Sequence, residues 1–500
     1  MMDALQHNTD EFALILAAEE CRPEQFDAMH KFSPHDQRII RKLIAHGPVL
    51  LQGGRGSGKS AFFIAASRAM APRNAQSTVL GLYVSLRYVP LLQATGTDYE
   101  QRFCEWVGQQ IQKALAHTSY TFPNSYDILQ LKNGLSELAL EAEKRVVLLF
   151  DDAAHMGRET SLGAFFDIFR TLSSDIISCK AAIYPGVTEF GTRFDVYNDA
   201  SVVDVVRYPD QSEFAVLFNE IMQARYPLLS ADKVTGFDLP KLAHFLGMTV
   251  LGNMRGFIFA CNDLLEHAEA NQTIGYNALG ETLRRLAADY YWPLFDEVKP
   301  KLGRYLPAVE AAHEIAEVLF SSCAQTATPT LSVLIHRALV ARYAKPFEIL
   351  EYAGFITRRE ASRAMKSGGR GSRFAVNLCN LLECIPGSRL TAQLFEAWLS
   401  TAGQPVEMHE RGEHFANITV PTPLAGGELE ILHNSVETLR TSKAYPYGLT
   451  DLKIALLQDA GIQTIGDLAV ASDETLRRLD GVGEVSLNRF RSVVGQAIWM

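Results

Sequence analysis

The feature that most constrains this chain is the octapeptide Gly53-Gly54-Arg55-Gly56-Ser57-Gly58-Lys59-Ser60. It follows the apolar run Val49-Leu50-Leu51 and leads into a helical pattern over Ala61 to Met70. The spacing Gly-x4-Gly-Lys-Ser between an apolar strand and a helix is the Walker A pattern in its required context. Glycines at Gly53, Gly54, Gly56 and Gly58 let backbone N–H groups turn inward on phosphate oxygens, and the helix start adds its positive dipole end. Arg55, Ser57 and Ala61 complete the cradle. Lys59 is expected to bridge the β and γ phosphates of ATP, and the Ser60 hydroxyl to ligate Mg2+. The alternative is an accidental match on a glycine-rich turn, which the ordered strand, loop and helix disfavour.

A second motif fits the first. Val146-Val147-Leu148-Leu149-Phe150 is an unbroken apolar run ending in Asp151-Asp152. Acids at the end of a buried strand are costly unless they sit at its C-terminal edge facing a cation. Asp151 is expected to hold magnesium, directly or through water. Asp152 stands where many such enzymes carry the carboxylate that activates the attacking water. Its other reading is a cap on the following helix.

Five hundred residues exceed one core, so two to four domains are expected. Apolar residues make up 47% and charged residues 21%, and no apolar run reaches the ~18 residues of a membrane span. The polar N-terminus lacks a secretion signal's pattern. The seven cysteines (21, 104, 179, 261, 323, 379, 384) show no zinc spacing; an odd, dispersed set reads as reduced thiols in the cytoplasm. A net charge of −10 argues against a uniformly basic nucleic-acid protein but leaves room for a local basic patch.

Along the chain, residues 1–30 read as a loosely held lead-in. Residues 31–210 alternate short apolar strands (49–51, 78–85, 145–150, 180–184, 202–206) with helices (near 99–117, 125–143, 161–174), which predicts an α/β unit with a parallel sheet and helices on both faces. Residues 211–295 read as helical only. In 296–400, helices at 310–322, 329–342 and 346–353 precede two apolar strands around a glycine-rich tip. The stretch 401–446 reads as a linker or add-on, and 447–500 as a compact all-helical unit.

These motifs, with the segments that follow them, resemble the AAA+ ATPases, in particular the origin-recognition and replication-initiator clade and its signalling relatives, over roughly 33–290. Val205-Val206-Arg207-Tyr208-Pro209 and the helix after it look like the passage from core to helical lid. Gly252-Asn253-Met254-Arg255 is similar to the family's sensor 2 motif, and the resemblance casts Arg255 as the lid arginine that reaches the γ phosphate; otherwise it is a solvated helix arginine. The sensor 1 region, 182–188, lacks an Asn, with Thr188 the nearest polar residue. Arg193 stands where an arginine finger would address a neighbouring subunit's nucleotide, which implies a homo-oligomer; a surface ion pair is its other reading. The Asp-Asp pair is more typical of the signalling relatives.

Two segments suggest DNA. Between 358 and 373, six bases (Arg358, Arg359, Arg363, Lys366, Arg370, Arg373) face one acid, Glu360. Helices followed by this hairpin resemble the winged-helix domain of initiator-type relatives, with a basic wing suited to phosphates in a groove; a solvated hairpin is the alternative. Residues 447–497 look like a helix-hairpin-helix domain, most similar to the C-terminal domain of the bacterial RNA polymerase alpha subunit. Gly481-Val482-Gly483 frees backbone N–H groups for a phosphate, and Ser486, Arg489 and Arg491 are placed to add contacts. Such folds also dock proteins, and Asp480 and Glu484 lower the local potential. Together the resemblances imply a bacterial ATP hydrolase working on DNA, in replication, a mobile element or phage defence, with a separate effector protein; the rival is a signalling switch whose tail docks a protein.

Overall fold

In the computed structural model of the chain the described residues are 18–499 except 73, 75, 88–90, 92–93, 155–158, 188–189, 192, 271–272, 327–328, 367, 401–402, 426–428, 443–444 and 446–447. Thr188 and most of the expected lead-in lie outside the described residues.

Five strands form the first sheet: β1 (Val49–Gln52), β2 (Val79–Ser85), β3 (Arg145–Ala154), β4 (Ile177–Ile183) and β5 (Ser201–Asp204), in the order β2-β3-β4-β1-β5. All are parallel, with Leu51 of β1 opposite Ala182 and Val203. Parallel strands need helical crossovers, and those crossovers cover both faces. Residues of β3 therefore alternate between two dry layers. Val146, Leu148 and Phe150 pack against the helices Gly96–Leu115, Ile128–Ala142 and Glu159–Leu172. Val147 and Leu149 pack against Pro34–Ile44 and Lys59–Ala69. That double burial is why the strands read as unbroken apolar runs. The sheet agrees with the expected α/β class.

The helices Ser212–Arg225, Leu239–Thr249, Met254–Glu269 and Tyr276–Leu286 follow as a lid, with Asp238 and Asn253 capping the second and third. The lid does not close a core of its own. Its apolar faces merge with Pro307–Ala324, Ala344–Ala353 and a second sheet in one continuous cluster running from Tyr184 to Ile418. That sheet has the order β7-β8-β6-β9: β6 (Ser332–His336), β7 (Ile356–Ala364), β8 (Arg370–Val376) and β9 (Val406–Met408). The expected β7–β8 hairpin is there.

The helix expected over 329–342 is a correction. Ser332–His336 is a strand paired with β8, and only Arg337–Arg342 is helical. A short apolar run has no period of its own, and the edge of β8 decided it. Residues 401–446 divide between two neighbours. Val406–Met408 adds β9 beside β6, whereas Leu429, Ile431, Val436 and Leu439 enter the core of the terminal unit. That unit packs Asp451–Asp459, Ile465–Val470, Asp473–Arg477 and Glu484–Trp499 around Leu457, Leu468, Phe490 and Val494. Among the described residues no helix is long and apolar enough to cross a membrane.

Candidate nucleotide site

The loop 53–58 leaves the C-terminal end of β1, the edge at which open parallel sheets bind ligands. Gly56 and Gly58 have φ of +76° and +97°, which only glycine adopts without strain. At Gly56 a Cβ would also stand 2.6 Å from the Asn253 Oδ1. Lys59 begins the helix and curls back into its own loop, donating to the carbonyls of Gly53 (2.7 Å) and Gly54 (3.2 Å). Its ammonium lies 3.6 Å from the centroid of the Tyr184 ring. Burial pushes the Lys59 pKa down, against the pull of Asp152 and Asp151.

Opposite the lysine, the end of β3 delivers both acids. Asp151 accepts from the Tyr83 hydroxyl at 2.9 Å and is hydrogen-bonded by Ser60. Burial, then the adjacent Asp152 carboxylate, then Glu19, push its pKa up. Asp152 has φ +52°, where the β3–β4 register shifts. Its carboxylate meets Arg87 at 2.6 Å and lies 3.5 Å from the Tyr184 hydroxyl. Glu19, from the 310 turn Ala18–Glu20, reaches the same point, so that one oxygen each from Glu19, Asp151 and Asp152 lie within 4.8 Å of one another. Three hard oxygen donors beside Ser60 suit a divalent cation such as Mg2+. The loop N–H groups, Lys59 and Ser60 suit the phosphates of a nucleotide.

A cavity of about 120 Å3 joins the phosphate loop, Lys59, Ser60, Glu19, Arg87 and Tyr184 to the lid and the N-terminal segment. Arg255 and Met254 line it from the lid, together with Ile258, and the Arg255 N–H donates to the Gly56 carbonyl at 3.2 Å. Its remaining wall includes Met29, His30, Phe32, Ile221 and the bases Lys31, Arg207 and Arg225. His30 stacks on Phe26 at 4.2 Å, and burial holds its pKa at about 4, so the imidazole is neutral at pH 7.

Several contacts at the site carried no assigned role in the sequence. Asn253, read only as part of the lid motif, donates to the Arg55 carbonyl at 2.5 Å. Arg207 donates to the Ser57 carbonyl at 3.1 Å and pairs with Asp36 at 3.3 Å. Asp36 also completes the capping box of Pro34–Ile44 with Ser33. Behind the loop stands the end of Ala344–Ala353: the Arg55 N–H donates to the Tyr352 carbonyl at 2.9 Å, and a Cβ on Gly54 would meet the Glu351 carbonyl at 2.8 Å. The Arg55 guanidinium is buried against Glu297 at 3.0 Å. Arg87, Glu19 and Tyr184 are ordinary residues in sequence; only an acidic strand end, which needs a counter-charge, hinted that a cation would meet it.

The remaining candidates lie elsewhere. Arg193 is exposed and outside this cavity; its carbonyl accepts from Arg170. On the hairpin, Arg358 pairs with Glu351 (3.3 Å), and Arg363 and Arg373 both pair with Glu360 (2.9 and 3.1 Å). Arg370 donates to Ser362, and the Lys366 N–H to Glu407. Arg359 turns inward to the Arg207 carbonyl at 2.7 Å. Three of the six bases thus hold acids, one of them from outside the hairpin, while the side chains of Lys366 and Arg370 stay exposed. In the terminal unit Gly481 (φ +70°) and Gly483 form an open, exposed turn beside half-buried Ser486 and Arg489. Arg491 faces inward: it pairs with Asp473 at 2.7 Å and closes the carbonyls of Leu468 and Ala471 at 3.2 and 2.5 Å.

Several solved structures are similar to the chain at low identity. The Aeropyrum pernix ORC1 protein in complex with DNA is 14% identical, with 75% of this chain and 94% of that one covered and a TM-score of 0.34. A Walker-type ATPase of Pyrococcus abyssi is 12% identical over 73% and 95%, with a TM-score of 0.40. A signal-transduction ATPase with a tetratricopeptide repeat sensor from Pyrococcus horikoshii is 12% identical over 69% and 41%, with a TM-score of 0.27. No family model and no curated protein matches the sequence.

Proposed function

We propose that the chain is an ATP hydrolase of the AAA+ type that couples ATP binding and hydrolysis to binding or assembly on DNA. The observation that carries the reading is the meeting of Lys59 and Ser60 with Asp151 at the mouths of β1 and β3, closed over by Arg255. Bound ATP and Mg2+ would supply the scissile phosphoanhydride and a Lewis acid on its oxygens. To admit phosphates, Lys59 would exchange the Gly53 and Gly54 carbonyls for phosphate oxygens. Ser60 and Asp151 would hold the cation, with Tyr83 orienting the Asp151 carboxylate. Asp152 is the proposed base: Arg87 holds and positions its Oδ2, and Oδ1 is the oxygen that would take the proton from water. Arg255 would sense the γ phosphate from the lid, and exposed Arg193 would act at the nucleotide of a second copy.

DNA is the proposed partner of the exposed wing cations Lys366 and Arg370 and of the open Gly481–Gly483 turn. A separate effector protein, in phage defence or a mobile element, would read out the switch. The second reading is a signalling switch whose terminal unit docks a protein. It is favoured by the Asp-Asp pair and by the closure of Ala344–Ala353 on the phosphate loop.

The test is ATP binding and turnover in two variants. Lys59→Ala should abolish tight binding; Asp152→Asn should bind normally and hydrolyse ~10²-fold more slowly or worse. Normal turnover by Asp152→Asn makes that residue structural, and normal binding by Lys59→Ala removes the nucleotide from the account.

A further inference from the structure

A second cavity, of about 390 Å3, shares no lining residue with the nucleotide cavity. It lies where the Tyr208–Asp210 turn leaves the core, where the lid presents Met248 and Leu251, and where β6 and β8 offer Ser332, Arg373 and Ala375. Its size falls within the roughly 300–1,000 Å3 of small-molecule pockets, which combine apolar walls with a few convergent polar groups. Met248, Leu331, Val376 and Leu378 supply the apolar wall; Tyr208, Ser332, two bases (Arg359, Arg373) and two acids (Asp210, Glu360) supply the polar groups, and Glu360 is already paired with Arg373.

Arg359 differs from its neighbours on the hairpin. Arg358 holds Glu351, and Arg363 and Arg373 share Glu360. Arg359 is half-buried, with its guanidinium 5.3 Å from the Tyr208 ring centroid and one N–H on the Arg207 carbonyl. Among the described residues no carboxylate forms an ion pair with it; Asp210 acts on it only at longer range. Burial depresses its pKa to about 10, and Tyr208 and Asp210 offset that only in part. A guanidinium taken partly out of water without a carboxylate is costly, and an anion would remove the cost. Its planar N–H fork suits carboxylate and phosphate oxygens alike.

We propose that this cavity binds a small organic anion, a carboxylate or phosphate monoester on a flat apolar body, with Arg359, the lining base that holds no carboxylate, gripping the anion and the Met248–Leu331–Val376 wall taking the body. The apolar wall argues against a DNA phosphate as occupant, because a duplex backbone brings no apolar group to bury there. The site does not depend on the nucleotide reading. A ligand there would brace the core-to-lid turn against the second sheet, one residue from Arg207 and its bond to the phosphate loop.

The test is calorimetry and ligand-observed NMR on the full chain at fixed ionic strength, with benzoate and phenyl phosphate as probes. Inorganic phosphate and benzyl alcohol separate the anion from the body. Both probes should bind with a Kd of about a millimolar or tighter, and each control about tenfold more weakly or worse. Arg359→Gln should weaken the probes at least about tenfold. Ala375→Phe, which narrows the cavity and keeps both arginines, should do the same; thermal melts verify that each variant is folded. Binding should persist in Lys59→Ala. The proposal is overturned if neither probe binds at about ten millimolar, if both cavity variants bind like wild type, or if Lys59→Ala abolishes binding, which would assign the probes to the phosphate loop. Equal binding of inorganic phosphate removes the apolar body, and displacement of the probes by duplex DNA gives the arginines to the backbone instead.

Discussion

Glu297→Gln should loosen the contact that holds the phosphate loop against the rest of the molecule. Glu297 pairs with Arg55 and with Lys301, both at 3.0 Å. Burial alone would raise its pKa, but Arg55 and Lys301 outweigh burial and hold it at about 2, against 4.5 for a free glutamate. Each step of one in pKa corresponds to about 1.4 kcal/mol, so the charged form contributes roughly 3 kcal/mol near neutral pH, somewhat less after screening of its exposed quarter. The sign follows from the depressed value: the contribution is complete above pH 4.5 and is lost as pH falls toward 2. Gln keeps the volume and removes the charge, leaving Arg55 buried without its partner. Hydrogen exchange of the amides in Pro293–Val298 should then report a local opening free energy lower by about 2–3 kcal/mol at pH 7. The difference between variant and wild type should vanish near pH 2. Arg55→Met added to Glu297→Gln should cost much less than the sum of the two single changes, because the unpaired charge has gone. An opening energy within about 0.5 kcal/mol of wild type, or strict additivity, would refute the reasoning.

Other outcomes follow from the same geometry. Arg87→Ala should weaken ATP hydrolysis more than ATP binding if the pair positions Asp152, so kcat should fall several-fold with KM little changed; a change in KM alone would assign Arg87 to substrate binding. Mixing Arg193→Ala with Lys59→Ala protein should restore some hydrolysis if Arg193 acts across a subunit interface, and full-rate hydrolysis by a strict monomer would remove that role. Replacing exposed Lys366 and Arg370 with Ala should lower the salt slope of duplex affinity by about two and weaken all sequences alike; unchanged affinity there and on deleting 447–500 leaves the signalling reading ahead. Arg491→Ala should lower the thermal stability of the terminal unit by ~1–3 kcal/mol, because it strands two carbonyls and Asp473; an unaltered melt with weakened DNA binding would make it a ligand contact.

By itself the sequence determined the local pieces. Gly53–Ser60 could serve only as a tight, inward-facing loop, since Gly56 and Gly58 take backbone angles closed to other residues and Lys59 follows them into a helix. The apolar runs 49–51 and 146–150, closed by a glycine-rich loop and by two acids, read as strands buried on both faces with their functional groups at one edge. The glycine-rich tip at 368–371 and the Gly481 turn were equally legible, because turn chemistry acts over a few residues. Tertiary structure decided what those pieces meet. Arg87 comes to Asp152 from 65 positions away, and Glu19 to Asp151 from still further, through burial that no local period encodes. The sequence pattern suggested a helix over 329–342, but a short apolar run takes its conformation from whichever edge is free to pair, and Ser332–His336 paired with β8. The basic hairpin looked uncompensated until Glu351 folded against Arg358, Glu360 took both Arg363 and Arg373, and Arg359 turned inward instead of out. Charge in a sequence is a sum over neighbours in the chain, but the field at a site is a sum over neighbours in space, and only folding fixes the second.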